Sequence, residues 1–300
     1  MGRVQFGLIV PENPQNPPGR SGYLADVDRL LAAVAGHYDS AWCIDHLQGD
    51  VLEGWTAVTY LAARHPDFQG GHTVLAQSFR NPALVAKMGA TLQFLSGGRF
   101  VLGIGAGGQE DEHRAYGYDF PPGRTRVAEL DEALHIIKAL WTEGRATFAG
   151  AHHRVEGAAC EPKPDPLPPI MVGAFRPQML RLTARHADWW LSYGHRPEVL
   201  RHKMAVLVDH CLAVGRDPAT IRKATPLTVY LDRSATDARR WAGDAVNAEQ
   251  PAFAGDPAAL VDRLTELGEM GFEMIQLRFA RMFDTTDLEL FVDRVMPAFR

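Results

Sequence analysis

The strongest constraint on the fold of this chain is an alternation of short apolar runs with longer stretches of helical period. Eight runs are predicted to be strands, at residues 4–10, 41–44, 72–76, 100–104, 170–172, 189–192, 225–231 and 274–277. The runs are apolar throughout and do not alternate with polar residues, as expected of parallel strands buried on both faces. Repeated strand–helix units of this kind build a parallel sheet.

Helix start signals lie between the predicted strands. Asn81-Pro82, Asp217-Pro218 and Asp256-Pro257 each place a capping side chain before a proline suited to the first helical position. The helix after Asn81 is predicted to place four apolar residues on one buried face: Leu84, Met88, Leu92 and Leu95. The helix after Asp256 is predicted to do the same with Leu260, Leu264 and Leu267. The clearest helical period runs over residues 127–141.

Eight strands and about eight helices in 300 residues predict an α/β protein, a single (β/α)8 TIM barrel that takes up residues 1–300 as one domain. Insertions are expected after the fourth and seventh strands. The first comprises a glycine-rich, acidic loop at 105–124 and a hairpin around Ala149-Gly150 within 146–169. The second is an irregular stretch at 243–255. A doubly wound sheet is the alternative, although that fold normally uses fewer strands.

The charge balance and the cysteines exclude several classes of protein. Thirty-one Lys plus Arg against 36 Asp plus Glu give a net charge of -5, which offers no basic field for nucleic acid. Cys43, Cys160 and Cys211 lack a C-x-x-C spacing, so neither a disulfide framework nor a cysteine-rich zinc site is expected. No apolar run approaches the roughly 18 residues of a spanning helix, and no signal peptide is recognised. A cytoplasmic protein without a membrane partner is predicted.

Asp45-His46, directly after the second predicted strand, is the sharpest candidate for chemistry. The active sites of such barrels lie at the C-terminal ends of the strands. A histidine there gives or takes a proton near neutral pH, and the neighbouring carboxylate could orient it or bind a cofactor ring. The alternative is an aspartate that caps the next loop beside a solvated histidine.

Residues 103–108 match the G-x-G-x-x-G pattern after the fourth predicted strand. A dinucleotide site is disfavoured because Glu110, Asp111 and Glu112 follow, where a pyrophosphate needs positive potential. We interpret the glycines as allowing a flat ring or a backbone to approach closely. An ordinary tight turn is the alternative.

Residues 173–176 join the fifth predicted strand to a helix, and Arg176 adds a positive charge at that helix N-terminus. This arrangement favours a phosphate-bearing cofactor, with a plain turn and an exposed arginine as the alternative. No metal site is predicted, because His152-His153 lack an H-E-x-x-H partner and are expected at the surface. Nucleophilic catalysis is disfavoured, because no G-x-S-x-G is present and Cys43 falls within a strand.

Five segments carry a family resemblance: FRNPALVAK at 79–87, LSGGRFVLGIGAG at 95–107, AYGYDF at 115–120, LWTEG at 140–144 and ADWW at 187–190. On these motifs the chain resembles the luciferase-like flavin- and deazaflavin-dependent oxidoreductases. Among them it is most similar to the branch that uses the deazaflavin coenzyme F420. The resemblance runs from the first strand to the C-terminus.

The resemblance implies a (β/α)8 barrel that holds an isoalloxazine-type ring in its C-terminal mouth without a covalent bond. The catalytic residues carried over by position are His46, Asp45 and Glu112. The cofactor-binding residues carried over by position are Asp45, Thr73, Val74, Ala76, Gly105, Ala106, Gly107, Gly108, Gly173, Ala174, Phe175 and Arg176. Thr73-Val74 matches a bulge that often holds a cis peptide, and Ala174-Phe175 departs from the usual Gly-Gly of the phosphate turn.

The function implied is hydride transfer between F420 and a small organic substrate, with His46 or a water completing the proton transfer. The alternative is an FMN-dependent monooxygenase that receives reduced flavin from a separate flavin reductase. A barrel that only binds a ligand is the rival from another class. The resemblance also implies a homodimer.

Overall fold

Eight parallel strands close into a barrel in this computed structural model, which describes residues 4–13, 19–193, 196–247, 252–281 and 283–299. The barrel strands follow one another in chain order, and the last pairs with the first. They are β1 (Gln5–Ile9), β2 (Ser40–Cys43), β3 (Gln69–His72) continued by β4 (Leu75–Ala76), β5 (Phe100–Gly105), β8 (Ile170–Gly173), β9 (Trp189–Leu191), β10 (Arg222–Leu231) and β12 (Met274–Phe279).

Helices surround the barrel and follow most of its strands. They are α1 (Arg20–Val34), α2 (Gly54–Arg64), α3 (Pro82–Leu95), α4 (Glu110–Ala115), α5 (Gly123–Thr142), α6 (Pro177–His186), α7 (Pro197–Ala213), α8 (Ala235–Ala242), α9 (Pro257–Glu269) and α10 (Thr286–Arg294). The predicted (β/α)8 barrel is therefore confirmed, and the doubly wound alternative is excluded because the sheet has closed on itself.

All eight predicted strands are present, but the third begins earlier than its apolar pattern indicated. Strand β3 starts at Gln69 because Gly70 and Gly71 pair with β2 and β5 although they have no apolar side chain to signal a strand. A Cβ on Gly71 would lie 2.5 Å from the carbonyl oxygen of Val101, so the close strand contact itself requires glycine.

Helix α3 and its Asn81 cap are confirmed, but of the four apolar residues predicted on one face only Leu92 is buried. Leu84 and Leu95 are 52% and 67% exposed. Small residues of α3 face α5 instead, because they let the two helices approach closely. A Cβ on Gly89 would lie 2.9 Å from Cζ2 of Trp141 on α5, which shows how tight this contact is. Helix α5 spans the helical period predicted over residues 127–141 and buries Leu130, Leu134, Ile137 and Trp141.

The first predicted insertion contains more regular structure than expected. Helix α4 forms within residues 105–124. The predicted hairpin is confirmed as the antiparallel strands β6 (Ala146–Ala149) and β7 (Arg154–Ala158). Its turn is held against α5 by Glu132, whose carboxylate accepts the backbone N–H groups of Ala151, His152 and His153 at 2.7, 2.9 and 2.8 Å.

Two further segments differ from expectation. Asp217-Pro218 opens a 3-10 turn, Pro218–Thr220, and not a full helix, because β10 begins two residues later at Arg222. The stretch predicted to be irregular at 243–255 ends in β11 (Ala252–Gly255), which pairs in parallel with β10. Asp256-Pro257 opens α9, which buries Leu260, Leu264 and Leu267 as predicted.

Some predicted features lie outside the described residues, namely Gly194 and His195 after the sixth barrel strand, residues 14–18 of the first loop and residues 248–251 of the second insertion. The three cysteines are buried and free. In the part of the chain that the structure describes, no helix combines the length and the apolar character needed to cross a membrane.

Candidate active site

His46 and Glu112 meet at the C-terminal mouth of the barrel. His46 follows strand β2, and Glu112 lies in the first turn of α4, which follows strand β5. Nδ1 of His46 is 2.7 Å from Oε1 of Glu112. With the carboxylate ionised, the imidazole Nδ1–H donates to it, which leaves the lone pair on Nε2 for a reacting group. This is the geometry of a general base with an orienting acid.

Glu112 has unused hydrogen-bonding capacity at this point. The residue is 8% exposed, and its Oε2 has no hydrogen-bond partner among the described residues. A buried carboxylate oxygen without a partner carries a desolvation cost that a bound ligand can relieve. The orphaned oxygen therefore supports ligand binding beside His46.

Asp45 contacts a different set of groups from those expected. Arg80 donates to both carboxylate oxygens of Asp45 at 2.8 Å, and the N–H of Ala76 donates to Oδ2 at 2.9 Å. The Asp45 side chain is fully buried at 0% exposure. The structure thus joins the ends of β2 and β4 through this carboxylate, and the catalytic role predicted for Asp45 stays a prediction.

Arg80 also reaches Glu53, the N-cap residue of α2. Burial favours the neutral form of Glu53, but the N–H groups of Thr56 and Trp55 and the charge of Arg80 outweigh it and lower the pKa of this carboxyl to about 2. Arg80 stands in the FRNPALVAK motif, but nothing in that segment indicates a role for its side chain. The pairing of Arg80 with Asp45 could not be read from the sequence, because the two residues are 35 positions apart.

The floor of the mouth is built around Val74. The predicted cis peptide at Thr73-Val74 is confirmed. A Cβ on Gly105 would lie 2.9 Å from Cγ2 of Val74, and one on Gly173 would lie 3.1 Å from the same atom. These two predicted glycines therefore admit the Val74 side chain between strands β5 and β8. Thr73 donates its hydroxyl to Oε1 of Gln276 on β12 at 2.6 Å, which secures the bulge from the opposite wall.

The glycine loop at the end of β5 packs against Ser78 and His113. Gly107 has a φ of +76°, and a Cβ there would lie 2.6 Å from Oγ of Ser78. Ser78 in turn lies 2.7 Å from Nε2 of His113, whose Nδ1 is 2.6 Å from the carbonyl oxygen of Gln109. The last contact identifies Nδ1 as the protonated nitrogen, so Ser78 donates to Nε2.

Open space lies on the other side of this loop. A Cβ on Gly108 would meet no atom within 4 Å, and Ala106 is only partly buried. The neighbouring predicted residues Gly105 and Gly107 face protein atoms, as described above. Gly108 is therefore the loop residue with room for a ligand, whereas Ala106 packs against the hydrophobic core.

The predicted phosphate turn leads into α6. Ala174 is buried and its N–H donates to Leu191, so this amide is occupied within the barrel. Phe175 and Arg176 are exposed, and Arg176 is the N-cap residue of α6 with no side chain capping the helix. The first turn of a helix presents amide N–H groups without intrahelical partners, and its dipole favours anions. This end of α6 therefore fits a phosphate group.

A buried acid that the sequence analysis did not select lies at the end of β1. Glu12 is 7% exposed and accepts the backbone N–H of Ile44. Burial is the main reason that the pKa of Glu12 rises to about 8; the N–H of Ile44 and the charge of Arg278 oppose the rise. Its position after the first strand was visible in the sequence, but its burial was not.

His152 is exposed as predicted, whereas His153 is half-buried, with Nε2 3.3 Å from Nε2 of Gln77 at the end of β4. Burial lowers the pKa of His153. The hairpin thus reaches the edge of the mouth through its turn.

Comparisons with known proteins identify the family of this chain. The chain matches the family described as luciferase-like monooxygenase over residues 4–294. An F420-dependent glucose-6-phosphate dehydrogenase of Kineococcus radiotolerans is 30% identical over 290 residues, which cover 92% of this chain and 84% of that protein.

Two solved structures share the fold. An F420-dependent secondary alcohol dehydrogenase, solved with an F420-acetone adduct, superposes with a TM-score of 0.83 at 20% identity and covers 99% of both chains. A monooxygenase from Streptomyces bottropensis gives a TM-score of 0.82 at 22% identity, covering 99% of this chain and 100% of that one. The chain is an oxidoreductase that belongs to the luciferase-like monooxygenase family.

Proposed function

We propose that this protein transfers a hydride between coenzyme F420 and a small organic substrate bearing an alcohol or carbonyl group. The observation that carries the proposal is the His46–Glu112 pair at the barrel mouth, with Nδ1 of His46 engaged and Nε2 free to exchange a proton. The name of the relative from Kineococcus supports F420 as the cofactor.

The residues present fit such a cofactor. Gly108 borders open space at the mouth, and Val74 forms a floor that a flat ring can lie against. Arg176 and the uncapped N-terminus of α6 would hold the cofactor phosphate. When bound, the deazaflavin supplies a ring carbon that accepts or donates hydride.

His46 moves the proton that must accompany hydride transfer. In the oxidative direction, a substrate C–H bond breaks to give hydride and the hydroxyl proton passes to Nε2 of His46. Glu112 stabilises the imidazolium through Nδ1–H, and its unpartnered Oε2 can accept a hydrogen bond from the bound substrate. In the reductive direction, His46 returns the proton to the carbonyl oxygen.

The alternative is an FMN-dependent monooxygenase served by a separate flavin reductase. The name of the family and the fold of the Streptomyces monooxygenase support it, but that likeness, at 22% identity, is one of fold alone. It predicts oxygen consumption with reduced FMN. A deazaflavin enzyme predicts none.

Binding and turnover separate the two candidates. Purified protein is titrated with F420 and with FMN while cofactor fluorescence is followed, and loss of oxidised F420 absorbance is then measured with a panel of alcohols and sugars. We expect tight binding of F420, alcohol-dependent reduction without oxygen uptake, and loss of turnover but not of F420 binding in His46→Gln. Arg176→Ala should weaken F420 binding, with Arg181→Ala, on an exposed face of α6, as the control. Binding of FMN alone, or no binding of either cofactor, overturns the proposal.

We further infer that residues 1–300 act as one domain in a cytoplasmic enzyme, and that the enzyme forms a homodimer, as the family resemblance implies. Light scattering coupled to size exclusion measures the mass in solution, and limited proteolysis tests for a second independently folded unit.

A further inference from the structure

A second cluster of ligating side chains lies on the outer wall of the barrel, between helices α5 and α6. It consists of Asp131 and His135 on α5 and His186, the last residue of α6. One ligating atom of each residue lies within 4.8 Å of the other two. Asp131 and His135 are four residues apart on one helix, which places both side chains on the same face.

The two histidines differ in their exposure to solvent, and His135 already has one ring nitrogen hydrogen-bonded to the backbone. Nδ1 of His135 is 2.8 Å from the carbonyl oxygen of Asp131, so Nδ1–H donates to the backbone and the Nε2 lone pair remains for a ligand. The two rings meet edge to face with centroids 4.6 Å apart. His135 is exposed, which gives an ion a route of entry, whereas His186 is buried at 5% exposure and provides a desolvated ligand.

Surrounding side chains fix the positions of the three ligands. Arg185 donates from Nη1 to Oδ2 of Asp131 at 2.8 Å, which leaves Oδ1 directed at Nε2 of His186 at 2.7 Å. Phe148 of the β6–β7 hairpin stacks on His135, with the ring planes 18° apart. Neighbouring groups that orient the ligating histidines and carboxylates in this way are typical of metal sites.

We propose that Asp131, His135 and His186 bind a zinc ion that links α5 to α6. Two imidazoles and one carboxylate suit a late first-row divalent ion, whereas Ca²⁺ and Mg²⁺ prefer all-oxygen sites. Ligand atoms about 2.1 Å from a zinc ion in tetrahedral geometry lie about 3.4 Å apart. Atoms that are now within 4.8 Å of one another reach that separation when each of two side chains shifts by less than about 1 Å.

Zinc binding replaces the Asp131–His186 hydrogen bond. The proton on Nε2 of His186 moves to Nδ1 by tautomerisation, Nε2 and Oδ1 of Asp131 become ligands, and water fills the fourth position. No metal site was predicted from the sequence, because the three residues form no motif within one segment: His186 is 55 residues from Asp131.

The test uses the full-length protein without an affinity tag. Zinc binding is measured by equilibrium dialysis, the electronic spectrum of Co²⁺ reports nitrogen coordination, and Tm is recorded with and without zinc. His135→Ala and Asp131→Asn remove or weaken one ligand each while sparing the buried His186. His202→Ala, an exposed histidine on α7, is the matched control.

We expect one zinc ion per chain, a Tm rise on the order of 3 °C at saturating zinc, and at least about tenfold weaker binding in His135→Ala and Asp131→Asn. The His202→Ala variant should bind zinc as the parent does. No binding at about 100 μM zinc, or equal binding by parent and His135→Ala, overturns the proposal. Apoprotein circular dichroism of each variant shows whether a loss of binding reflects a loss of fold.

Discussion

His46 and Glu112 come from segments 66 residues apart and share a hydrogen bond of 2.7 Å at the barrel mouth. The bond joins the loop after β2 to the first turn of α4. It fixes the imidazole so that Nδ1 faces the carboxylate and Nε2 faces away from it. The pair therefore links the orientation of the proposed base to the position of α4.

Replacement of Glu112 should impair turnover without abolishing cofactor binding. In Glu112→Gln the amide occupies the same space but does not stabilise the positive charge that His46 gains with a proton. We expect kcat to fall about 10²- to 10⁴-fold, the range for general acid–base groups, with F420 affinity changed less than about threefold. Steady-state kinetics and a fluorescence titration measure the two quantities.

Glu110→Gln is the control for this change, because Glu110 lies on the same short helix but forms an exposed ion pair with Arg114. An unchanged kcat in Glu112→Gln would contradict the role given to the pair.

Replacement of Asp45 should mainly reduce stability. In Asp45→Asn, a neutral amide replaces one of the two carboxylates that pair with the partly buried Arg80. The substitution also disturbs the hydrogen bond that the N–H of Ala76 donates to this side chain. Breaking a buried, hydrogen-bonded ion pair costs about 3–5 kcal/mol, so the free energy of unfolding in urea should fall by an amount near the lower end of that range.

The matched change is Asp237→Asn, which removes an exposed pair with Arg240 and should leave the unfolding curve almost unaltered. If Asp45→Asn unfolds at the parent's urea midpoint but has lost turnover, Asp45 acts in catalysis and not in holding β2 to β4.

The barrel was predictable because buried parallel strands leave a continuous apolar signature, as at residues 100–104 and 170–172. His46 was predictable as a rim residue because strand ends converge on one face of a barrel, whereas Glu112 was selected through the family resemblance. The buried face of α3 was not. Its contact with α5 depends on Gly89 and on the size of Trp141, and hydrophobic period alone does not distinguish a small packed residue from an exposed one.

The partners of Asp45 escaped prediction for a different reason. A carboxylate at a strand end has the same local sequence whether it faces a ligand or an arginine. Only the folded distance between β2 and the segment after β4 places Arg80 against it.

Adding a methyl group at Gly108 should affect the cofactor and not the fold. A Cβ there meets no protein atom within 4 Å, whereas a Cβ on Gly103 would lie 1.8 Å from the carbonyl oxygen of His72. Gly108→Ala should therefore keep the parent's Tm and weaken F420 binding by about tenfold. The free energy of unfolding of Gly103→Ala should be lower than that of the parent by about 1–3 kcal/mol. Thermal unfolding and F420 titration of both variants measure these effects. Parent-like F420 affinity in Gly108→Ala would place the cofactor away from this loop.

The stability of the protein should fall as pH rises through the range set by Glu12. Burial raises the pKa of Glu12 from 4.5 to about 8, so the folded state keeps a proton there that the unfolded chain releases above pH 4.5. The stabilisation is thus complete below pH 4.5 and is lost progressively until the pH reaches about 8. Glu12→Gln keeps a neutral, hydrogen-bonding side chain at every pH and should remove this dependence, which is roughly 1 kcal/mol per pH unit.

Urea unfolding at intervals from pH 5 to 8.5 gives the slopes of parent and variant. Glu198→Gln, which changes an exposed residue on α7, controls for the loss of one charge. Equal slopes in parent and Glu12→Gln would mean that Glu12 is ionised in the folded protein and that its charge is met by Arg278.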